Sequence, residues 1–201
     1  MENEVLTDEG LSYIERLTDY YDRASSRAEY GEIMGYFDFE VFDDLNWPPV
    51  GRLPESHENY GNLIHGDGDY VLKLRSFRDS IPVTKTDDRG DYQNQNFVEA
   101  RVWLEERDSE RSNFTPVRAF DADRGNWLIM DEVDQQLPVH NSHLDWVKEY
   151  MEAQGWDPHD LEIGLSGDNW KIYDYGRFQP LEDWKISEEE VLNSDIAVRN
   201  V

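Results

Sequence analysis

The stretch Leu161–Gly176, with the sequence LEIGLSGDNWKIYDYG, is the part of this chain that points most directly to a fold. Apolar residues alternate with other residues on both sides of Gly167 and Asp168, a dipeptide that is typical of a hairpin turn. The second strand runs into the residues YDYG at 173–176. The sequence therefore predicts a β-hairpin that ends in an aspartate, an aromatic residue and a glycine.

Upstream of this hairpin, helical and strand patterns alternate along the chain. The helical pattern that directly precedes the hairpin is predicted to be capped by Ser142 and ended by Gly155. The earlier helical pattern is predicted to be capped by Asp91. The predicted elements are strands at 60–64, 70–74, 115–120 and 126–133 and helices at 92–107 and 142–154. The order hairpin, helix, hairpin, helix, hairpin predicts an α+β fold.

The beginning of the chain has a helical pattern of its own. Apolar residues recur at helical spacing from Leu11 to Tyr21, which predicts an amphipathic helix at 8–23. A shorter helix is predicted at 25–35. We therefore expect an N-terminal helical extension over residues 1–36.

The composition is strongly acidic, with 45 Asp and Glu against 19 Lys and Arg and a net charge of −26. Aromatic residues make up 13% of the chain, so the acid does not mark a disordered tail. Acidic residues spread through a folded, lysine-poor chain are typical of proteins from salt-loving archaea and their viruses, since high salt screens their mutual repulsion. The alternative is a DNA mimic or a partner of a basic protein. Salt adaptation is favoured over this alternative, because the acidic residues are not gathered into one tract.

The sequence also argues against several kinds of site. The chain has no cysteine, which excludes disulfides and cysteine-based metal sites or nucleophiles. No apolar stretch reaches the roughly 18 residues needed to cross a bilayer. Lysine and arginine are not clustered, so direct binding of nucleic acid is not expected. A protein partner remains the expected kind of macromolecular ligand.

Five short motifs resemble those of protein kinases and follow one another in the kinase order. They are YVLK at 70–73, NQNFVE at 94–99, TPV at 115–117, GNWLIMDE at 125–132 and YDYG at 173–176. The combination resembles the small kinase-like proteins of tailed viruses over roughly residues 37–180. This resemblance implies a kinase-like small lobe at 37–133, followed by a truncated helical large lobe at 134–201.

The resemblance also implies roles for individual residues. Lys73, paired with Glu99, is expected to hold the α- and β-phosphates of ATP, and Asp174 is expected to bind Mg²⁺. Asp157 stands at the position of the catalytic base, five residues before Glu162. For Lys73 and Glu99 two alternatives stay open, a purely structural ion pair and two charges that face solvent.

The chain departs from the kinase pattern at three places. Glu162 replaces the asparagine that holds a second metal ion, although its carboxylate is also an oxygen ligand. The segment at 51–56, in the place of the glycine-rich loop, has a single glycine, and its Pro54 lacks a backbone donor. After Gly176 the sequence has room for one short helix at 187–193, which is too little to dock a peptide substrate.

Three functions follow from these observations. The first is a degenerate kinase-like protein that acts by binding a partner, and the second is a small phosphotransferase that uses Mg²⁺ and ATP. The third is a structural protein of a virus particle, docked through its N-terminal helices. The expected location is accordingly the cytoplasm of a high-salt cell or a virus particle, and the sequence leaves the oligomeric state open.

Six aromatic side chains have two possible roles. The first is a surface for a partner, and the second is a packing of the helices onto the sheet. The residues to which both apply are Tyr20, Tyr21, Trp47, Trp146, Trp156 and Trp184. Core positions are favoured for Trp103, Trp127, Trp146 and Trp170.

Overall fold

The computed structural model describes most of the second half of the chain and parts of the first. The described residues are Leu6, 10–12, 14–15, 18, 62–66, 70–75, 94–109, 113–134, 141–159 and 161–199. In the predicted helix at 8–23 the described residues are helical, and Ile14 is fully buried. The predicted helix at 25–35 and the segment at 51–56 lie outside the described residues.

The fold is α+β and is built on an antiparallel sheet to which one short parallel strand is added. The sheet order is β1-β2-β4-β3-β9. Its strands are β1 (Asn62–Gly66), β2 (Tyr70–Arg75), β3 (Val117–Asp121), β4 (Trp127–Asp131) and β9 (Ala197–Val198). β9 is the parallel strand, paired with β3. The hairpins predicted at 60–74 and 115–133 are therefore confirmed.

Helix α1 (Gln95–Glu106) packs on this sheet, with the ring centroids of Phe97 and Phe120 6.4 Å apart. The predicted cap at Asp91 is wrong, because the cap is Asn94, whose side chain accepts a hydrogen bond from the amide of Phe97. The amide group of Asn94 also donates to the carbonyls of Arg124 and Gly125 in the turn between β3 and β4. A carboxylate has no such donor, which explains why asparagine serves as the cap here.

The second half of the chain adds one helix, two small two-stranded sheets and a short final helix. Their bounds are α2 (Asn141–Ala153), β5 (Trp156–Asp157), β6 (Glu162–Ser166), β7 (Asn169–Asp174), β8 (Gln179–Pro180) and α3 (Glu188–Leu192). α2 begins at Asn141, one residue before the predicted cap Ser142. Gly155 follows α2 with a φ of 96°, in agreement with the predicted stop.

The β6–β7 hairpin is joined to the segments that flank β3 and β4. Phe114 and Ile172 form a parallel bridge, and Asp134 and Leu165 form an antiparallel one. Gly164 lies at this contact, where a Cβ atom would come within 2.8 Å of the Asp134 carbonyl. These bridges hold the end of the hairpin against the sheet and so determine where its aspartate lies.

A C-terminal strap, residues 181–198, returns to α1 and to the edge of the large sheet. The guanidinium of Arg101 donates two hydrogen bonds to the carbonyl of Ile186 and lies 4.2 Å from the ring centroid of Trp184. Glu105 accepts hydrogen bonds from the amides of Lys185 and Ile186. The strap therefore covers a part of α1 and fixes it on the sheet.

The structure corrects the predicted position of one tryptophan and decides the position of another that the sequence left open. Trp146 was expected in the core, but 55% of its surface is exposed. Trp156, a candidate for a partner surface, is 2% exposed. Trp127 is buried as predicted, whereas Trp103 and Trp170 are half-buried. Among the described residues, no helix combines the length and the apolar character that crossing a bilayer requires.

Candidate functional site

The candidate site is centred on Lys73, in the middle of β2 between Ile64 of β1 and Leu128 of β4. Its side chain is 2% exposed. The ammonium nitrogen lies 2.6 Å from Oε1 of Glu99, 3.2 Å from the carbonyl oxygen of Tyr173 and 3.5 Å from Oδ1 of Asp174. An ammonium group has three hydrogens, so each of them has an acceptor.

The charge on Lys73 is maintained by its two carboxylate neighbours. Burial alone would lower the pKa of Lys73, because it penalises the charged form. The attraction of Glu99 and Asp174 outweighs burial, and the pKa is raised above its ordinary value. Lys73 is therefore a cation in the folded protein at neutral pH.

Glu99 reaches this ammonium from α1 and is fully buried. Its Oε1 accepts hydrogen bonds from Lys73 and from the amide of Tyr175, while its Oε2 is buried without a hydrogen-bond partner. Burial raises the pKa of Glu99 to about 7, against the opposing attraction of Lys73, and the nearby charge of Asp174 adds to the rise. The predicted pairing of Lys73 with Glu99 is present, and the alternative of two solvent-facing charges is excluded.

The YDYG motif attaches the β6–β7 hairpin to α1. The hydroxyl of Tyr175 is fully buried and donates to the carbonyl of Thr115 at 2.5 Å. The ring of Tyr175 packs against Phe114, with centroids 4.9 Å apart. Burial raises the pKa of the Tyr175 hydroxyl well above its ordinary value, so it acts as a donor throughout the working range of pH. This aromatic residue therefore anchors the turn that carries Asp174.

Gly176→Ala is expected to destabilise the protein by about 1–3 kcal/mol. A Cβ atom at this position would lie 2.6 Å from Cβ and 3.0 Å from the carbonyl oxygen of Gln95, the first residue of α1. Backbone cannot rotate away as a side chain can, so the helix and the turn must separate. Urea unfolding measures the cost, with Ser166→Ala, an exposed position of the same hairpin, as the control. Equal stability of the two variants contradicts the close approach.

Glu162 and Asp174 are opposite each other in the register of β6 and β7. The side chain of Asp174 is 42% exposed, so this carboxylate is open to solvent on one side. Tyr173 lies beside both acids, and its pKa is raised first by burial and then by a hydrogen bond to Glu162. The hairpin therefore places the two predicted metal ligands opposite each other in the backbone register, with the Glu162 carboxylate hydrogen-bonded to Tyr173.

Two carboxylates are too few to hold Mg²⁺ by themselves, so Glu162 and Asp174 fit this ion only if other ligands complete its coordination. Within the ranges that the structure describes, no cluster of three or more His, Cys, Asp or Glu side chains could hold a metal ion. Mg²⁺ is commonly bound by one or two carboxylates together with water and substrate phosphates. Glu162 and Asp174 would accordingly hold Mg²⁺ as part of a nucleotide complex, where the ion neutralises phosphate charge.

Asp157, the predicted base, lies in β5 with its side chain 46% exposed. Its Oδ2 is 3.3 Å from Nε2 of His159. Lys73, Glu99 and Asp174 share direct contacts. The side-chain contact that the structure gives for Asp157 is the one with His159.

Two solved structures resemble the chain distantly. Both are structures of WbdD. One is a co-crystal structure of WbdD and a kinase inhibitor, with 16% identity and a TM-score of 0.40 over 66% of this chain and 34% of WbdD. The other is the bifunctional kinase-methyltransferase WbdD, with 16% identity and a TM-score of 0.41 over 68% of this chain and 36% of WbdD. The chain thus spans about a third of the length of WbdD.

No protein-family model and no curated protein sequence matches the chain. The TM-scores to WbdD are below 0.5 and carry no argument about function. The kinase-like interpretation therefore depends on the contacts within the chain, above all on those of Lys73.

The sequence did not predict three contacts of this site. The carbonyl of Tyr173 accepts from Lys73, the hydroxyl of Tyr175 donates to Thr115, and the strap holds α1 through Arg101. The first contact is a backbone group and leaves no sequence signal. The second had a weak signal, because a tyrosine in the YDYG motif brings a hydroxyl that needs a partner when the ring is buried.

Proposed function

We propose that this chain is a kinase-like protein that acts by binding a protein partner, and that its lysine-centred ion cluster has a structural role. The observation that carries the proposal is the state of Lys73. Its three hydrogens have acceptors within the protein, and its side chain is 2% exposed. A lysine that holds phosphates must keep at least one donor directed at the nucleotide.

Two further features support a structural role. The segment at 51–56 offers few free backbone amides to a phosphate, because it has one glycine and includes Pro54. If the kinase resemblance holds for this segment, Glu55 and Glu58 would bring negative charge close to that of a nucleotide. Phosphate binding is disfavoured by each of these residue types.

A second candidate function is that of a small phosphotransferase that uses Mg²⁺ and ATP. It is favoured by the side of the site where Asp174 lies. Asp174 is 42% exposed and lies across from Glu162, which suits a metal-bound nucleotide. The contact of Lys73 with Asp174 is long, at 3.5 Å, and a phosphate oxygen could replace it. Asp157 would then orient the attacking hydroxyl as a weak base.

Thermal unfolding with and without Mg²⁺ and ATP distinguishes the two functions. We expect no change in the melting temperature, because a nucleotide would have to displace an acceptor that Lys73 already has within the protein. A nucleotide that binds the folded protein and is present at a concentration of 100 times its Kd would add about 2.7 kcal/mol to the free energy of unfolding. Because the composition indicates salt adaptation, the measurement is made in about 2–3 M KCl.

The comparison uses Lys73→Ala and, as its matched control, Lys185→Ala, whose side chain is 72% exposed. A nucleotide shift that persists in Lys185→Ala and disappears in a Lys73→Ala protein that still unfolds cooperatively establishes a nucleotide site and supports the phosphotransferase. A shift that Lys73→Ala retains assigns the nucleotide to a different site. Absence of a shift in all three proteins supports the structural role of the cluster.

Two statements about this protein stay predictions. Its origin in a salt-loving archaeon or its virus is predicted from composition, and its place in a virus particle is predicted from the N-terminal helical pattern. They are supported by the even spread of 45 acidic residues and by the scarcity of lysine. A stability that rises steeply with KCl would support salt adaptation, and co-purification with virus particles would support the structural alternative.

A further inference from the structure

Three aromatic side chains form a cluster at the surface, here called the aromatic surface. It consists of Trp146 and Tyr150 of α2 and Trp170 of β7. The rings of Trp146 and Tyr150 are stacked at 5.8 Å, and both meet the ring of Trp170 edge to face at 6.0 Å. Trp146 is 55% exposed, and the other two side chains are half-buried. The three rings together form one aromatic patch, and tryptophan and tyrosine are the side chains enriched at the centres of protein interfaces.

The geometry of the cluster determines how a ligand could use it. The three rings touch one another, so no slot exists between them for a flat ligand. What remains available is the outer face of Trp146, held in a fixed orientation by Tyr150 and Trp170. A tryptophan face carries partial negative charge and attracts cations, most strongly among the aromatic side chains.

Acidic residues border the aromatic surface on two sides. Asp145, Glu149 and Glu152 are exposed and form the row of α2 next to the row of Trp146 and Tyr150. Asp168 is exposed in the turn two residues before Trp170. Lys148 belongs to the far side of this acidic row and Lys171 alternates to the other face of β7, whereas the exposed His143 lies one turn before Trp146 on the aromatic row.

The chain itself shows the chemistry that this combination favours. In its interior, the guanidinium of Arg101 lies 4.2 Å from the ring centroid of Trp184. The aromatic surface offers an arginine the same kind of ring together with carboxylates that can accept its hydrogen bonds. Arginine suits such a site better than lysine does, because its flat guanidinium stacks on a ring and still donates in its own plane.

We propose that the aromatic surface binds an arginine-bearing basic segment of a partner protein. The stacked tryptophan supplies the anchor, and the acidic row of α2 supplies the charge complementarity. This inference rests on the partner-binding role proposed above and names the class of partner.

The test measures the binding of a hexa-arginine peptide and of a hexa-lysine peptide to the full chain by calorimetry, in about 0.15 M KCl and again in about 2 M KCl. We expect the arginine peptide to bind more tightly than the lysine peptide. Trp146→Ala should weaken binding of the arginine peptide about fivefold or more, as expected for an anchor residue. The matched control is Leu181→Ala, which removes a 58% exposed apolar side chain from another part of the surface.

Four outcomes overturn the proposal. Equal binding by the wild type and Trp146→Ala means that the peptide is held by diffuse negative charge. Equal affinity for the two peptides, or no binding of either, removes the role of arginine stacking. Sedimentation that shows a dimer of the wild type and a monomer of Trp146→Ala assigns the surface to a second copy of this chain. None of these results depends on Lys73 or on nucleotide, so they are distinguishable from a failure of the proposed structural role of the ion cluster.

Discussion

Lys73→Met is expected to lower the free energy of unfolding by about 3–5 kcal/mol, the usual cost of removing one partner of a buried ion pair. The substitution leaves Glu99, which is fully buried, without its cation and close to a second carboxylate, Asp174. Glu99 must then either remain charged in the interior or bind a proton at a pH where it would otherwise ionise. Either response destabilises the folded state, and urea unfolding at pH 8 measures the loss.

A double variant separates the buried charge from the loss of packing. Lys73→Met combined with Glu99→Gln removes both charges and keeps an acceptor for the amide of Tyr175, so most of the stability should return. Lys185→Ala, on the exposed surface, should change stability by less than about 0.5 kcal/mol. If Lys73→Met is as stable as the wild type, the ion pair contributes nothing to the fold, and the structural role proposed for it is wrong.

Trp156→Ala is the second large effect, and we expect it to cost about 3–5 kcal/mol. The side chain is 2% exposed and lies between three parts of the molecule. Its ring meets Phe114 at 6.0 Å and Trp184 of the strap at 5.7 Å, and its indole nitrogen donates to Glu106 at the end of α1. Truncation therefore leaves a cavity where the sheet, the helix and the strap meet.

Trp146→Ala is the matched control for this prediction, since it removes the same side chain from an exposed position. Its stability should lie within about 0.5 kcal/mol of the wild type. Comparable losses in the two variants would mean that Trp146 is also packed in the interior. A small loss in Trp156→Ala would return that residue to the surface role that the sequence left open.

Local patterns in the sequence were sufficient to predict the β6–β7 hairpin and the helix α1. Gly167, with a φ of 60°, produces the turn that its dipeptide predicted, and the β6–β7 hairpin follows from it. The helix at 95–106 was found from its apolar spacing, but its cap was not, because Asp91 and Asn94 are both acceptable caps. The choice between them depends on the two carbonyls of the distant turn that Asn94 contacts.

Burial of the aromatic residues was harder to predict. Trp146 and Trp156 stand ten positions apart, and nothing in their local sequence separates an exposed ring from a buried one. The strap makes the difference, because it brings Trp184 over Trp156 and leaves Trp146 uncovered. The return of residues 181–198 to α1 is a long-range contact for which no spacing rule exists.

The sequence alone was enough to place a lysine in an apolar strand, a glutamate in the following helix and an aspartate at the end of a hairpin. Each of these follows from periodicity and turn chemistry, which act over a few residues. Tertiary structure was needed to bring the three side chains to one point and to use every hydrogen of Lys73 within the protein. The reason is that the ammonium is satisfied by groups 26 and 101 residues away and by a backbone carbonyl 100 residues away, whose positions depend on the packing of the hairpin against α1.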